Sequence, residues 1–224
     1  MTTNLIDVLR KSFTEKSYQE ISQYVDINTE STKNGIKAII PAMLASILGI
    51  NTVNNAVQPT WWNALEDDYP YSENEFIDVT NIKTPSFLTK GREVLSGMFH
   101  SCHDDLIASV SSVAGIQKEK AAGLIEVSVP LIMGYLNNWM RRKGWKFKDL
   151  IQNLFEQKAN IVGALPTGIS PAHFGINNMP KHNFSETIET KIPTHGAPRK
   201  KSRNGLMWLI GLILLALLLW YFMG

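Results

Sequence analysis

Residues 29–48 read TESTKNGIKAIIPAMLASIL, and residues 118–137 read KEKAAGLIEVSVPLIMGYLN. In the first stretch Ile36, Ile40, Met43, Leu44, Ile47 and Leu48 recur at helical spacing and form one apolar face. Pro41 and Pro130 interrupt the two stretches at the same place. A proline inside a helix lacks an N–H donor and clashes with the preceding turn, so each should kink its helix or start a new one. The alignment extends in both directions. Ile27 falls on Ile116, Glu30 on Glu119, Ile36 on Ile125, Ile40 on Val129 and Ile47 on Leu136. With a few residues of slippage upstream, Val8, Leu9 and Phe13 fall on Val94, Leu95 and Phe99. A unit of about 45 residues therefore occurs twice, at about 5–50 and 92–138. The predicted fold class is all-α: a pseudo-twofold pair of helical repeats, each covering the other's apolar face, plus a closing helix and one C-terminal transmembrane helix.

Between the repeats, at about 51–90, lies a polar insert with Pro59, Pro70 and Pro85 and the aromatics Trp61, Trp62, Tyr69, Tyr71 and Phe76. It reads as a loop over the domain, with room for a short helix at its start. After the second repeat, Leu150, Ile151, Leu154 and Phe155 mark one more amphipathic helix. Alternating runs of β-branched residues, the mark of strands, are missing. The predicted domain spans residues 1–168. A Pro-rich linker should follow over 169–198, where Pro171, Pro180, Pro193 and Pro198 stand among Asn, Thr, Ser and His.

Residues 199–224 read as a basic flank and an anchor. From Leu206 to Met223 there is no charge, and Leu212, Leu215 and Leu219 typify the run. About 20 apolar residues span a hydrocarbon core. Trp208 lies near one end, and Trp220 and Tyr221 near the other, as in an aromatic belt. Arg199, Lys200, Lys201 and Arg203 precede the run, so the positive-inside tendency places the domain in the cytosol. The expected location is a bacterial inner membrane, crossed once. The N-terminus, MTTNLIDVLRKSF, reads as the start of a mature domain and not as a signal peptide.

The formal net charge is +2, whereas a general nucleic-acid binder should be far more basic. The single cysteine, Cys102, cannot form an internal disulfide, which fits a reducing compartment.

Three stretches in order carry a family resemblance: GIKAIIPAMLASILG, SSVAGIQKEKAAGLIEVSVPLIMGYL and LFEQKANIVGALPTGI. Together they resemble the YidB-like family, bacterial helical domains whose function is not established. Some relatives join such a domain to a membrane span and then to an OmpA-type peptidoglycan-binding domain. That order implies a cytosolic helical domain, and the resemblance brings no catalytic residues. The Trp- and acid-containing insert departs from the family's usual Gly- and Ser-rich connection.

HSCHDD gathers metal-type ligands in His100, Cys102 and His103, beside Asp104 and Asp105. A structural zinc site usually takes two separated ligand pairs, so the preferred reading is a turn in which Asp104 or Asp105 caps the next helix. Trp61 and Trp62 either dock a partner or seal the repeats. Glu66, Asp67 and Asp68 read as a solvated acidic loop. NNWMRRKGWKFK sets Arg141, Arg142, Lys143, Lys146 and Lys148 among Trp139, Trp145 and Phe147. Such interleaving suits an anionic membrane or nucleic acid, although a helix C-terminus capped by Gly144 explains much of it. Fingerprints of Ser hydrolases, phosphate loops, zinc proteases and dinucleotide folds are missing.

The expected function is that of a non-enzymatic, tail-anchored scaffold or adaptor. No cofactor is expected. The partners would be the bilayer and an unidentified protein, not nucleic acid, and self-association is compatible with this. Two alternatives remain: a subunit of a membrane or secretion complex, and a metal-dependent sensor or enzyme using HSCHDD.

Overall fold

The structure, a computed structural model, describes residues 3–53, 59, 62, 75–99 and 102–176. The described residues fall within one compact unit. The basic flank from Arg199 and the apolar run from Leu206 lie outside the described residues. Among the described residues every regular element is helical. They are α1 (Leu5–Ser12), α2 (Glu15–Val25), α3 (Thr29–Val53), α4 (Pro85–Phe99), α5 (His103–Ala114), α6 (Lys118–Lys143), α7 (Phe147–Glu156), α8 (Lys158–Gly163) and a 3-10 turn at Pro171–Phe174.

The repeat is built into the caps. Helix α2 ends in Asp26 and α5 in Gly115, equivalent positions that both adopt the left-handed conformation, with φ of 59° and 64°. Each cap N–H donates to an equivalent serine carbonyl, Ser22 or Ser111. The next residue, Ile27 or Ile116, donates to the same carbonyl at 3.0 and 3.1 Å. These bonds satisfy the carbonyls a helix leaves open at its end and turn the chain into the long helix of each repeat. Asp26 adopts this conformation despite its Cβ, and Lys120 of α6 binds its carboxylate at 2.8 Å and the Val25 carbonyl at 3.1 Å.

Packing joins the two repeats. Helix α3 lies against α5, and α6 lies against α2. The two long helices meet where Gly35 faces Leu124, again equivalent positions; a Cβ on Gly35 would fall 2.3 Å from Leu124 Cδ2. Ile36, Ile39, Ile40, Met43, Leu44 and Leu48 of α3 are fully buried, each contributing roughly 1.5–3 kcal/mol. By length and composition, residues 29–50 could cross a membrane, but 78% of the apolar window is buried inside this fold. Here α3 is a core helix.

The structure bears on three sequence expectations. Of the two outcomes expected at Pro41 and Pro130, a new helix is excluded, and each helix runs on through its proline. Pro130 leaves the Glu126 carbonyl without its usual intrahelical donor, and Gly91 of α4 packs onto this notch: a Cβ there would lie 2.8 Å from that oxygen. Helix α4 starts at Pro85, earlier than the expected 92, with proline at a first-turn position that needs no N–H. The closing helix through Leu150, Ile151, Leu154 and Phe155 is α7, and past Gln157 a further short helix, α8, follows it.

Residues 169–176, expected to open the linker, pack against the domain. Ile169, Phe174 and Ile176 are buried. The Phe174 ring meets Phe99 edge-on at 6.4 Å. Gly49 of α3 admits the Phe174 carbonyl so closely that a Cβ would lie 1.9 Å from its oxygen. The turn belongs to the domain because its apolar side chains complete the core.

Candidate functional site

The described residues of the HSCHDD segment, Cys102 to Asp105, do not by themselves assemble as a ligand set. His100 lies outside the described residues. Cys102 is buried and stands at the N-cap of α5. Burial, with the nearby Asp105 charge, pushes its thiol up to about 11, which disfavours the thiolate a metal would need. His103 Nδ1 lies 3.8 Å from Asp104, whereas Asp105 faces His173 of the 3-10 turn at 3.8 Å. Among the described residues no three His, Cys, Asp or Glu side chains are placed to hold a metal ion. The expected capping by Asp104 or Asp105 is corrected too: both lie in the first turn of α5, and Cys102 occupies the cap. Their charges still favour the positive end of the helix dipole.

The tryptophans separate. Trp62 is fully buried and meets Phe147 edge-on at 5.0 Å, so it packs α7 against the insert and offers no free face to a partner. Trp61 lies outside the described residues, as do Glu66, Asp67 and Asp68. Trp139 is almost buried and meets Trp145 at 5.0 Å, nearly perpendicular. Gly144 causes this contact. In the left-handed conformation it ends α6, and the Trp145 N–H turns back to the Met140 carbonyl at 2.9 Å.

Trp139 also lines a groove of about 430 Å³ at the C-terminal ends of α1 and α6. Tyr135, Arg142 and Lys143 of α6 share its lining with Val8, Lys11 and Ser12 of α1. Glu75 and Phe76 complete it. They are brought there because the Ile77 N–H donates to the Ser12 carbonyl at 2.9 Å, at the end of α1. Arg142 sits over the Tyr135 ring at 5.5 Å. Burial raises the Tyr135 phenol above its ordinary value, and the charge and hydrogen bond of Arg142 draw it partly back. Lys11 and Lys143 are exposed, and Phe76 is 55% exposed. Among the described residues three cations thus surround an aromatic floor, against one carboxylate. The cations suit helix C-termini electrostatically; their convergence from two helices makes a surface for an anionic, partly apolar ligand.

A second hollow, of about 370 Å³, lies among α4, α5 and α6 and includes Arg92, Phe99, His103 and Glu126. Arg92 Nε and Glu126 Oε1 pair across it at 2.7 Å. These two charges offset each other across the hollow.

A family model for bacterial proteins of unknown function, DUF937, matches residues 7–138. The chain belongs to DUF937. The matched region runs from α1 into α6 and so includes both repeats. It contains Val8, Lys11, Tyr135 and the insert, and it stops one residue before Trp139. The cationic end of the groove and the closing helices α7 and α8 therefore lie outside the DUF937 match. No curated protein and no solved structure matches the chain.

Proposed function

We propose that this DUF937 member is a non-enzymatic, single-pass protein of the bacterial inner membrane that presents its helical domain to a protein partner on the cytosolic side. One observation carries the reading: the uncharged run Leu206–Met223, bounded by Trp208 and Trp220–Tyr221, follows Arg199, Lys200, Lys201 and Arg203. Length, aromatic ends and a one-sided basic flank together are the signature of a membrane span with its preceding domain inside. The buried repeat core supports an interaction module, because the repeats bury their apolar faces against each other and leave α1 and α6 to present the groove. The finer resemblance to YidB-like proteins agrees with this arrangement.

Fractionation tests it. The chain should stay with membranes through an alkaline carbonate wash, and deleting residues 199–224 should shift it to the soluble fraction as folded, helical protein. Protease added outside intact spheroplasts should leave residues 1–182 uncut. Extraction by carbonate, or digestion from outside, would overturn the placement. Crosslinking in native membranes would then identify the partner.

A further inference from the structure

We propose that the groove between the ends of α1 and α6 holds the headgroup of an anionic phospholipid, giving the domain a second contact with the bilayer. This rests on the membrane reading above and assigns a ligand class to the groove. The argument begins with charge. Lys11 from one helix end and Arg142 and Lys143 from another face the same hollow, and among the described residues Glu75 is the one carboxylate in its lining. Each cation near an anionic leaflet strengthens attachment by about fivefold. The chemistry of the floor comes next. Tyr135 and Trp139 give it flat aromatic sides, and Phe76 stands 55% exposed at the rim. A phospholipid offers both complements in one molecule: a phosphate for the cations, and glycerol with the first acyl carbons for the rings. An acidic peptide matches the charge, but nothing in the proposed anchoring brings one near. An anchored domain, by contrast, always has headgroups within reach, at an effective concentration on the order of millimolar. A weak site is then enough to hold the domain against the surface.

Lysine labelling of the full chain tests this in nanodiscs of phosphatidylcholine alone and with phosphatidylglycerol added. Co-elution with either disc reports the anchor, and labelling reports the groove. Lys11 and Lys143 should label at least about fivefold more slowly in the phosphatidylglycerol discs, whereas exposed Lys37 and Lys118 should not change. High salt should abolish the protection. R142E should abolish it too, and R142K should keep most of it, both with unchanged helicity. Equal labelling of the wild type in the two discs would overturn the proposal whatever the variants do, and would leave the groove to an acidic protein segment. Protection by inorganic phosphate in phosphatidylcholine discs would also overturn it, since the ligand would then be a free anion. A chain that enters neither disc would overturn the anchor itself.

Discussion

Gln157 shows how one buried polar side chain can organise a terminus. It is 4% exposed; its Oε1 accepts from the Leu5 N–H at 2.9 Å, and its Nε2 donates to the Thr3 carbonyl at 2.7 Å and to Asn153. It thereby satisfies an open donor at the start of α1 from the junction of α7 and α8. Gln157→Leu keeps the volume and removes those bonds. It should cost about 1–3 kcal/mol, read as a lower thermal midpoint by circular dichroism. Cys102 is the opposite case, a reactive residue type made inert. With its thiol at about 11 against an ordinary 9.0, roughly a hundredfold less thiolate forms near neutrality. A disulfide reagent should modify it at least that much more slowly than a free thiol, reaching full rate on unfolding. The folded state holds this proton more tightly than the unfolded chain does. The associated stability is therefore present below the ordinary value of 9.0 and is lost as pH rises toward about 11. A melting series across that range checks the sign. The Gln was visible in LFEQKANIVGALPTGI, but its partners at Thr3 and Leu5 lie at the other end of the chain and no local pattern reveals them.

Helices α3 and α6 were legible as elements because their apolar period runs through the prolines. Periodicity does not decide between a kink and a restart at Pro130, and the packing of Gly91 of another helix onto the notch has no local signal. The packing of residues 169–176, expected as linker, has a similar reason. Pro171 and Gly175 read as breakers, and they do shape a 3-10 turn, but burial of Phe174 against Phe99 and Gly49 decides that the turn docks. Gly49→Ala should force the Phe174 carbonyl away, because the contact is with backbone, which cannot rotate aside. We expect a loss of about 1–3 kcal/mol and new proteolytic cleavage between residues 165 and 176. An unchanged digest would show that the turn is not held at Gly49.

At the scale of the domain, Gly35 and Leu124, equivalent positions of the sequence repeat, face each other across the two long helices. Only one of the pair can be large. Gly35→Ala would ordinarily gain about 1 kcal/mol in a helix; here the added Cβ meets a fully buried leucine. The net effect should be destabilising by about 1–2 kcal/mol. Combining it with Leu124→Val should cost less than the two single changes summed, a coupling that a double-mutant cycle in urea measures. Additive losses would mean that the long helices do not meet there.

The sequence alone determined what depends on local order. It contained two copies of a helix pattern with matched prolines, an all-α class, and an uncharged run behind a basic flank. Periodicity and composition act between neighbours in the chain, so they can be read without the fold. Tertiary structure alone decided which side chains share a surface. Tyr135, Trp139, Arg142 and Lys143 recur along α6 and could have been grouped from the sequence. Lys11 and Phe76 join them only because the Ser12 carbonyl holds Ile77 and the ends of α1 and α6 come together. The same packing buried Trp62 and Cys102, two residues whose types had suggested function. Burial is a property of what lies opposite, and what lies opposite is distant in sequence.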